Sequence, residues 1–215
     1  MDLIEEWMKS AKNMQALEEY RVKEYIGKGG FAYVYHIIRK IDEKSFAVKI
    51  YSKTDSKSSK KRTEGLRKES DILRSLRHPF ILSFLEYKES STHIFIIMEY
   101  CNGGDVLKFL ARNSLRPANE RFELDEVKIA SVVRNILLAL SFIHDQRKVH
   151  RDIKPENILL QVDYDTREII SAKIGDFGLC AQLDNPFVSQ LKRRCGSWAY
   201  AAPELLKREN YSDVG

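Results

Sequence analysis

The stretch His150-Arg151-Asp152-Ile153-Lys154-Pro155-Glu156-Asn157 decides the fold of this chain, because it anchors a series of short motifs in fixed order. Asn157 lies five residues beyond Asp152, Asp176-Phe177-Gly178 begins 24 residues beyond Asp152, and Ala202-Pro203-Glu204 begins 26 residues beyond Asp176. Just upstream is the longest helical pattern, Glu123 to His144, with Val127, Ala130, Val133, Ile136, Leu137, Leu140 and Ile143 on its apolar side. Farther upstream come Glu69 on a shorter helix and Phe46-Ala47-Val48-Lys49 on a strand. The series starts with Ile26-Gly27-Lys28-Gly29-Gly30-Phe31-Ala32-Tyr33-Val34 between two strands. One such tripeptide arises by chance; the whole series in this order and spacing does not.

Gly27-x-Gly29 taken alone is a weak signal. A dinucleotide-binding glycine loop follows a strand, opens a helix and has an acidic residue about 20 positions on. Here the glycines join two strands, and the residue 22 positions after Gly27 is Lys49. The alternative phosphate loop puts Lys and Ser or Thr directly after its last glycine, and that pair is absent here. Both rival nucleotide motifs fail.

The 215 residues are 43% hydrophobic and 31% charged, with 10 Gly and 5 Pro, enough apolar material for a core. Disorder throughout, collagen and low-complexity chains are excluded. Lys and Arg number 36 against 31 Asp and Glu, a net charge of +5 that suits anionic partners such as nucleotides without indicating a nucleic-acid binder. Cys101, Cys180 and Cys195 show no CxxC spacing, so a reducing compartment, cytoplasmic or nuclear, is expected. The longest apolar stretches, Ile94 to Met98 and Ile136 to Leu140, are far too short to span a bilayer. The acidic, amphipathic start at residues 1–10 does not suit a signal peptide. A soluble intracellular protein with one main folding unit, no membrane contact and no nucleic-acid partner is expected.

Residues 2–19 carry Leu3, Trp7, Ala11 and Met14 at helical spacing, which predicts an N-terminal helical extension. It either docks on its own domain or offers a partner site. From Tyr20 the texture turns to strands: Tyr20 to Ile26, Ala32 to Arg39 and Ser45 to Tyr51. Residues 53–68 hold seven basic side chains, read as an exposed loop running into a helix, with a nucleic-acid patch as the lesser alternative. Leu66 to Leu76 reads as a helix ended by His78-Pro79, Ile94 to Tyr100 as a buried strand, and Asn102-Gly103-Gly104 as a hinge-like turn. Beyond it the chain becomes helical, then returns to short strands and loops from Val149 to Lys173.

With these motifs the sequence resembles the eukaryotic protein kinase family, from about Tyr20 to the last residue. The resemblance implies an α+β, bilobal fold. Its strand-rich, antiparallel N-lobe would cover about 20–100, and a helical C-lobe, incomplete here, about 105–215. It also implies ATP and Mg²⁺ as cofactors and a protein substrate offering a Ser or Thr hydroxyl. Phosphoryl transfer needs charge neutralisation and alignment more than covalent help. Gly27, Gly29 and Gly30, with Ile26 and Lys28 beside them, would let backbone N–H groups approach the phosphates. Lys49 would reach the α/β-phosphates, held by an ion pair with Glu69. Asp176 and Asn157 would be the oxygen ligands of Mg²⁺, and Asp152 the general base, a role worth about 10²–10⁴-fold.

Lys154 would neutralise the transferring phosphoryl and, with Ser197 bridging it to Asp152, resembles the serine/threonine class. By the same resemblance Met98 is the gatekeeper, Glu99 to Cys101 the adenine-binding hinge, and Asp105 a ribose contact. Val34, Ala47 and Leu159 would sandwich the adenine. Leu73, Phe84, His150 and Phe177 would form an apolar column coupling the lobes.

Three departures stand out. Ala32 takes the place of the third glycine, which predicts a less flexible loop. Between Gly178 and Cys195 the only hydroxyl side chain is Ser189, whose phosphate could pair with Lys192, Arg193, Arg194 and Arg151. Tyr211 to Gly215 resembles the start of the helix on which the C-lobe is built, so an incomplete lobe is expected. A nucleotide-binding but catalytically impaired scaffold is therefore the alternative to an active kinase.

Overall fold

The computed structural model describes residues 16–29, 32–53, 59–183, 196–201 and 203. Outside them lie most of the expected N-terminal helix, Gly30, Ser189 with Lys192, Arg193 and Arg194, Ala202, Glu204 and Tyr211 to Gly215. The chain forms two compact units. The first is residues up to Arg74 together with Ser83–Tyr100; the second is Ser75–Leu82 together with Cys101 onward.

In the first unit, β1 (Tyr20–Gly29), β2 (Ala32–Arg39), β3 (Ser45–Ser52), β4 (Phe84–Glu89) and β5 (His93–Glu99) make one antiparallel sheet in the order β1-β2-β3-β5-β4. Alternation along the strands sorts the side chains onto two faces. Tyr35 pairs with Val48 and Val48 with Ile97, and this face, with Leu17, Tyr20, Ile37, Ile50 and Phe95, is the hydrophobic core. The other face carries Val34, Ala47, Lys49 and Met98, because Val34 pairs with Lys49 and Ala47 with Met98. β5 is buried on both faces, so Ile94 to Met98 reads as an unbroken apolar run rather than an alternating one.

Three elements differ from expectation. β1 runs three residues past Ile26, through Gly27 and Gly29, because β2 continues to pair with it there. β4 escaped the sequence pattern: it is an edge strand with three charged residues in six, and an edge needs little apolar signal. The helix α1 (Ser59–Ser75) also begins seven residues before Leu66. Its first half is rich in Lys, Arg and Glu, good helix formers that leave no apolar trace. Leu66, Glu69, Ser70 and Leu73 form its buried stripe.

In the second unit, β6 (Gly104–Asp105), β8 (Ile158–Asp163) and β9 (Glu168–Ile174) form a three-stranded sheet, and β7 (Lys148–Val149) pairs with β10 (Ala181–Gln182). Residues 75–82 join this unit through Leu82, whose N–H donates to Ile174 C=O at 2.9 Å. The connector is laid against β8 by Asn102, whose amide both donates to and accepts from the Val162 backbone at 2.9 Å. A Cβ on Gly103 would stand 2.8 Å from the Leu160 carbonyl, which is why only glycine fits this approach.

The helices α2 (Val106–Leu115) and α3 (Glu126–Asp145) are N-capped by Asp105 and Asp125. α3 packs Asn135, Ala139 and Ile143 inward and leaves Val127 77% and Leu137 60% exposed. Its length and composition alone would let it cross a membrane, which the short uninterrupted apolar runs had not suggested.

Candidate active site

The expected site residues fall into two sets, one in each unit. In the second unit the loop 150–157 turns through a short 3-10 segment, Pro155–Asn157. Asp152 is the centre of its hydrogen bonding. Oδ1 accepts from the N–H and the Oγ–H of Ser197, both at 3.0 Å. Oδ2 accepts from Asn157 Nδ2 at 2.9 Å and faces Lys154 Nζ at 2.9 Å. Lys154 Nζ also donates to Ser197 Oγ at 2.7 Å, closing a triangle of three side chains. Burial alone would raise the Asp152 carboxyl, but hydrogen bonds from Lys154, Ser197 and Asn157 outweigh it and hold the group below the usual carboxylate range.

His150 ties this loop to the loop of Asp176-Phe177-Gly178. Its ring is 1% exposed and lies edge-on to Phe177, centroids 4.9 Å apart. Nδ1 accepts the Asp152 N–H at 3.3 Å, so Nε2 carries the proton and donates to Gly175 C=O at 2.9 Å. Asn157 completes the join: its carbonyl accepts the Gly175 N–H at 2.8 Å. Arg151 and Asp176 both have left-handed backbone, with φ of 69° and 58°. Such strain in residues other than glycine persists only where surrounding contacts over-determine it. At Arg151, Nε donates to Leu179 C=O at 2.6 Å.

Asp105, at the start of α2, is already engaged: Oδ1 caps Lys108 N–H at 2.8 Å and Oδ2 pairs with Lys108 Nζ at 3.1 Å. Leu159 pairs across β6/β8 with Asp105, and Cys101 is buried. Burial pushes the Cys180 thiol up to about 11, so it is no nucleophile at neutral pH.

In the first unit Lys49 Nζ is 3.9 Å from Glu69 Oε1, both side chains largely buried. Val34, Ala47 and Met98 share the sheet face of Lys49, as the register above requires. Glu99 accepts the Ser83 N–H on its carboxylate at 3.2 Å, which fixes the end of β5. Ile26 sits in the bulge of β1 between Tyr25 and Gly27 and is exposed, while Gly27 and Gly29 lie in the β1–β2 ladder. Lys28 Nζ stands 5.3 Å over the Tyr33 ring. Of the proposed apolar column, Leu73 and Phe84 belong to this unit, His150 and Phe177 to the other.

Residues 20–214 match the family model described as protein kinase domain. This chain belongs to the protein kinase family. Over 206 residues the kinase domain is 36% identical to the serine/threonine-protein kinase cds1 of Schizosaccharomyces pombe, covering 94% of this chain and 42% of that protein. It is 32% identical to the serine/threonine-protein kinase ATG1 of Debaryomyces hansenii, covering 94% and 26%. With the maternal embryonic leucine zipper kinase of Danio rerio it shares 33% identity, covering 92% and 27%. The chain thus spans less than half the length of these relatives.

Within the kinase domain, Asn157 and Asp176 offer an amide and a carboxylate oxygen from loops hydrogen-bonded to one another, a donor set that suits Mg²⁺. Committing Asn157 Nδ2 to Asp152 leaves Oδ1 as its oxygen for a cation. Among the described residues no group of three His, Cys, Asp or Glu could hold a metal ion, so water or ligand oxygens would complete a shell begun by Asn157 and Asp176.

Sequence reasoning missed three features of the kinase domain. His150 is a polar link between loops as well as an apolar neighbour of Phe177. Gly196, at φ 97°, lets its segment press against the Arg151 carbonyl, and so delivers Ser197 to Asp152. Glu89 gathers three donors at the end of β4. Only Gly196 left a signal, as a glycine beside an expected site residue.

Proposed function

We propose that the domain is an ATP-dependent serine/threonine kinase, transferring the γ-phosphoryl of Mg–ATP to a Ser or Thr hydroxyl of a protein substrate. The observation that carries this reading is the closed triangle of Asp152, Lys154 and Ser197. Bound Mg–ATP supplies the phosphoryl group and the divalent charge that offsets its oxygens.

Asp152, kept ionised at neutral pH, accepts or orients the proton of the substrate hydroxyl. Its carboxylate already has a donor at each side of both oxygens, so the incoming hydroxyl replaces one of them. The Ser197 Oγ–H is the weakest holder, being neutral and free to rotate, while the backbone N–H of Ser197 keeps its place on Oδ1. Lys154 holds a positive charge beside the oxygen that takes the proton. Glu69 orients the Lys49 ammonium toward phosphate oxygens, and Gly27, Gly29 and Gly30 with Ile26 and Lys28 supply the phosphate loop. Val34, Ala47, Met98, Glu99, Cys101 and Leu159 receive the adenine, Asp105 the ribose, and Asn157 and Asp176 the metal. The thiols of Cys101 and Cys180 suit a reducing cytoplasm or nucleus.

The test is transfer from labelled Mg–ATP to a generic Ser/Thr substrate, with Asp152→Asn alongside. Transfer well above the variant is expected. No transfer above it, with ATP still raising the melting temperature, would sink the enzyme reading and leave a nucleotide-binding scaffold.

A further inference from the structure

Glu89, the last residue of β4, is the hub of an ionic cluster on α1 and the adjoining strands. Its Oε1 accepts from Lys53 Nζ at 2.6 Å. Oε2 accepts from Arg67 Nη2 at 2.9 Å and from the Tyr87 hydroxyl at 3.0 Å. Lys53 is itself anchored: Nζ donates to the Ser90 carbonyl, and its N–H to Thr92 C=O at 2.8 Å. One carboxylate therefore joins the chain leaving β3, the middle of α1 and the end of β4. Glu89 and Lys53 side chains are 25% and 18% exposed, so water screens this pair less than an ordinary surface ion pair.

The arrangement bears on Lys49 and Glu69 because the same two elements carry both pairs. Lys53 is four residues beyond Lys49, and Arg67 is two residues before Glu69. Residues two apart on a helix point to different sides. Arg67 thus grips α1 on one side while Glu69 faces Lys49 on another. The Lys49–Glu69 pair is loose at 3.9 Å, while the Glu89 bonds run from 2.6 to 3.0 Å. The shorter bonds make the Glu89 cluster the closer ionic hold on the helix.

We propose that Glu89 is a positioning residue that clamps α1 to the β3 and β4 ends so that Glu69 meets Lys49. This rests on reading Lys49 and Glu69 as part of the phosphoryl-transfer machinery. Hydrogen bonds from Lys53 and then Arg67 hold the Glu89 carboxyl at about 2, so the clamp stays charged across the neutral range.

The test is a double-mutant cycle in the whole chain with Glu89→Gln, which keeps the shape and removes the charge. Glu89→Gln is expected to lower kcat about tenfold, with the KM for ATP changed less than about twofold. In a Glu69→Gln background it should lower kcat no further, because its effect passes through Glu69. Equal losses in both backgrounds, or a lower melting temperature with kcat unchanged, would overturn the proposal.

Hydrogen exchange of the α1 amides over residues 63–75 supplies a readout independent of catalysis. It should quicken in Glu89→Gln, and unchanged exchange overturns the clamp. If the unvaried chain transfers no phosphoryl, the catalytic reading fails by itself and the exchange experiment still decides whether Glu89 holds the helix.

Discussion

Lys154 Nζ stands 2.7 Å from Ser197 Oγ although the two residues are 43 apart in the chain, and both bond to Asp152. The contact turns a loop with a carboxylate into a closed polar set, in which a charge and a rotatable hydroxyl share one carboxylate.

Because the two partners differ in charge, their removal should differ in size. Ser197→Ala keeps the backbone N–H on Asp152 and is expected to lower kcat about tenfold, the worth of a neutral hydrogen bond. Lys154→Met removes the charge facing the developing transition state and should cost about 10²–10³. Steady-state rates on one peptide substrate check this; equal effects would contradict the division of labour.

Gly196 has φ 97°, and a Cβ there would run into the Arg151 carbonyl. Gly196→Ala is therefore expected to cost about 1–3 kcal/mol of local strain, relieved by the segment lifting away. Phosphoryl transfer should fall at least as far as in Ser197→Ala, and a crystal structure of the variant should show Ser197 detached from Asp152. Wild-type rates in Gly196→Ala would refute the close approach.

His78 gives a pH signature. Its ring stacks on Phe142 at 5.1 Å, and Nδ1 accepts the Phe80 N–H at 3.2 Å. Burial, helped by the charge of Lys173, lowers its pKa from the ordinary 6.5. The unfolded chain then takes up the proton first. The neutral ring's contribution is complete above about pH 6.5 and is lost as pH falls through that value toward the lower folded pKa. Urea denaturation from pH 8 to 5 should show wild-type stability falling in that window, with a shallower fall in His78→Asn. Parallel curves would remove His78 as the cause.

The two sides of α3 predict opposite tolerance. Ile143 is fully buried and Leu137 is 60% exposed. Ile143→Ala should destabilise by about 2–5 kcal/mol, whereas Leu137→Ala should stay within about 0.5 kcal/mol. Chemical denaturation of both variants measures this directly, and similar losses would mean that the outward side is covered in solution.

Much of the candidate site could be read in advance because its chemistry is local. A carboxylate, an ammonium and an amide within six residues, placed after a long amphipathic helix, needed no coordinates. β2 and β3 were equally legible, since β-branched and aromatic residues cluster there. β4 and the first half of α1 were not, because charged residues predominate in both and apolar periodicity is silent about them. Nothing in Lys88-Glu89-Ser90 marks Glu89 out, because its contact with Lys53 spans 36 residues.

The amino-acid sequence by itself determined the family and singled out the candidate reactive groups. Those follow from side-chain chemistry and from spacing along the chain. Which groups touch was decided only by tertiary structure. Ser197 reaches Asp152 because Gly196 has the backbone freedom to pass Arg151, and Arg67 reaches Glu89 because a helix and an edge strand come side by side. Contacts at such separations depend on register and chain path, and no local pattern of residues carries that information.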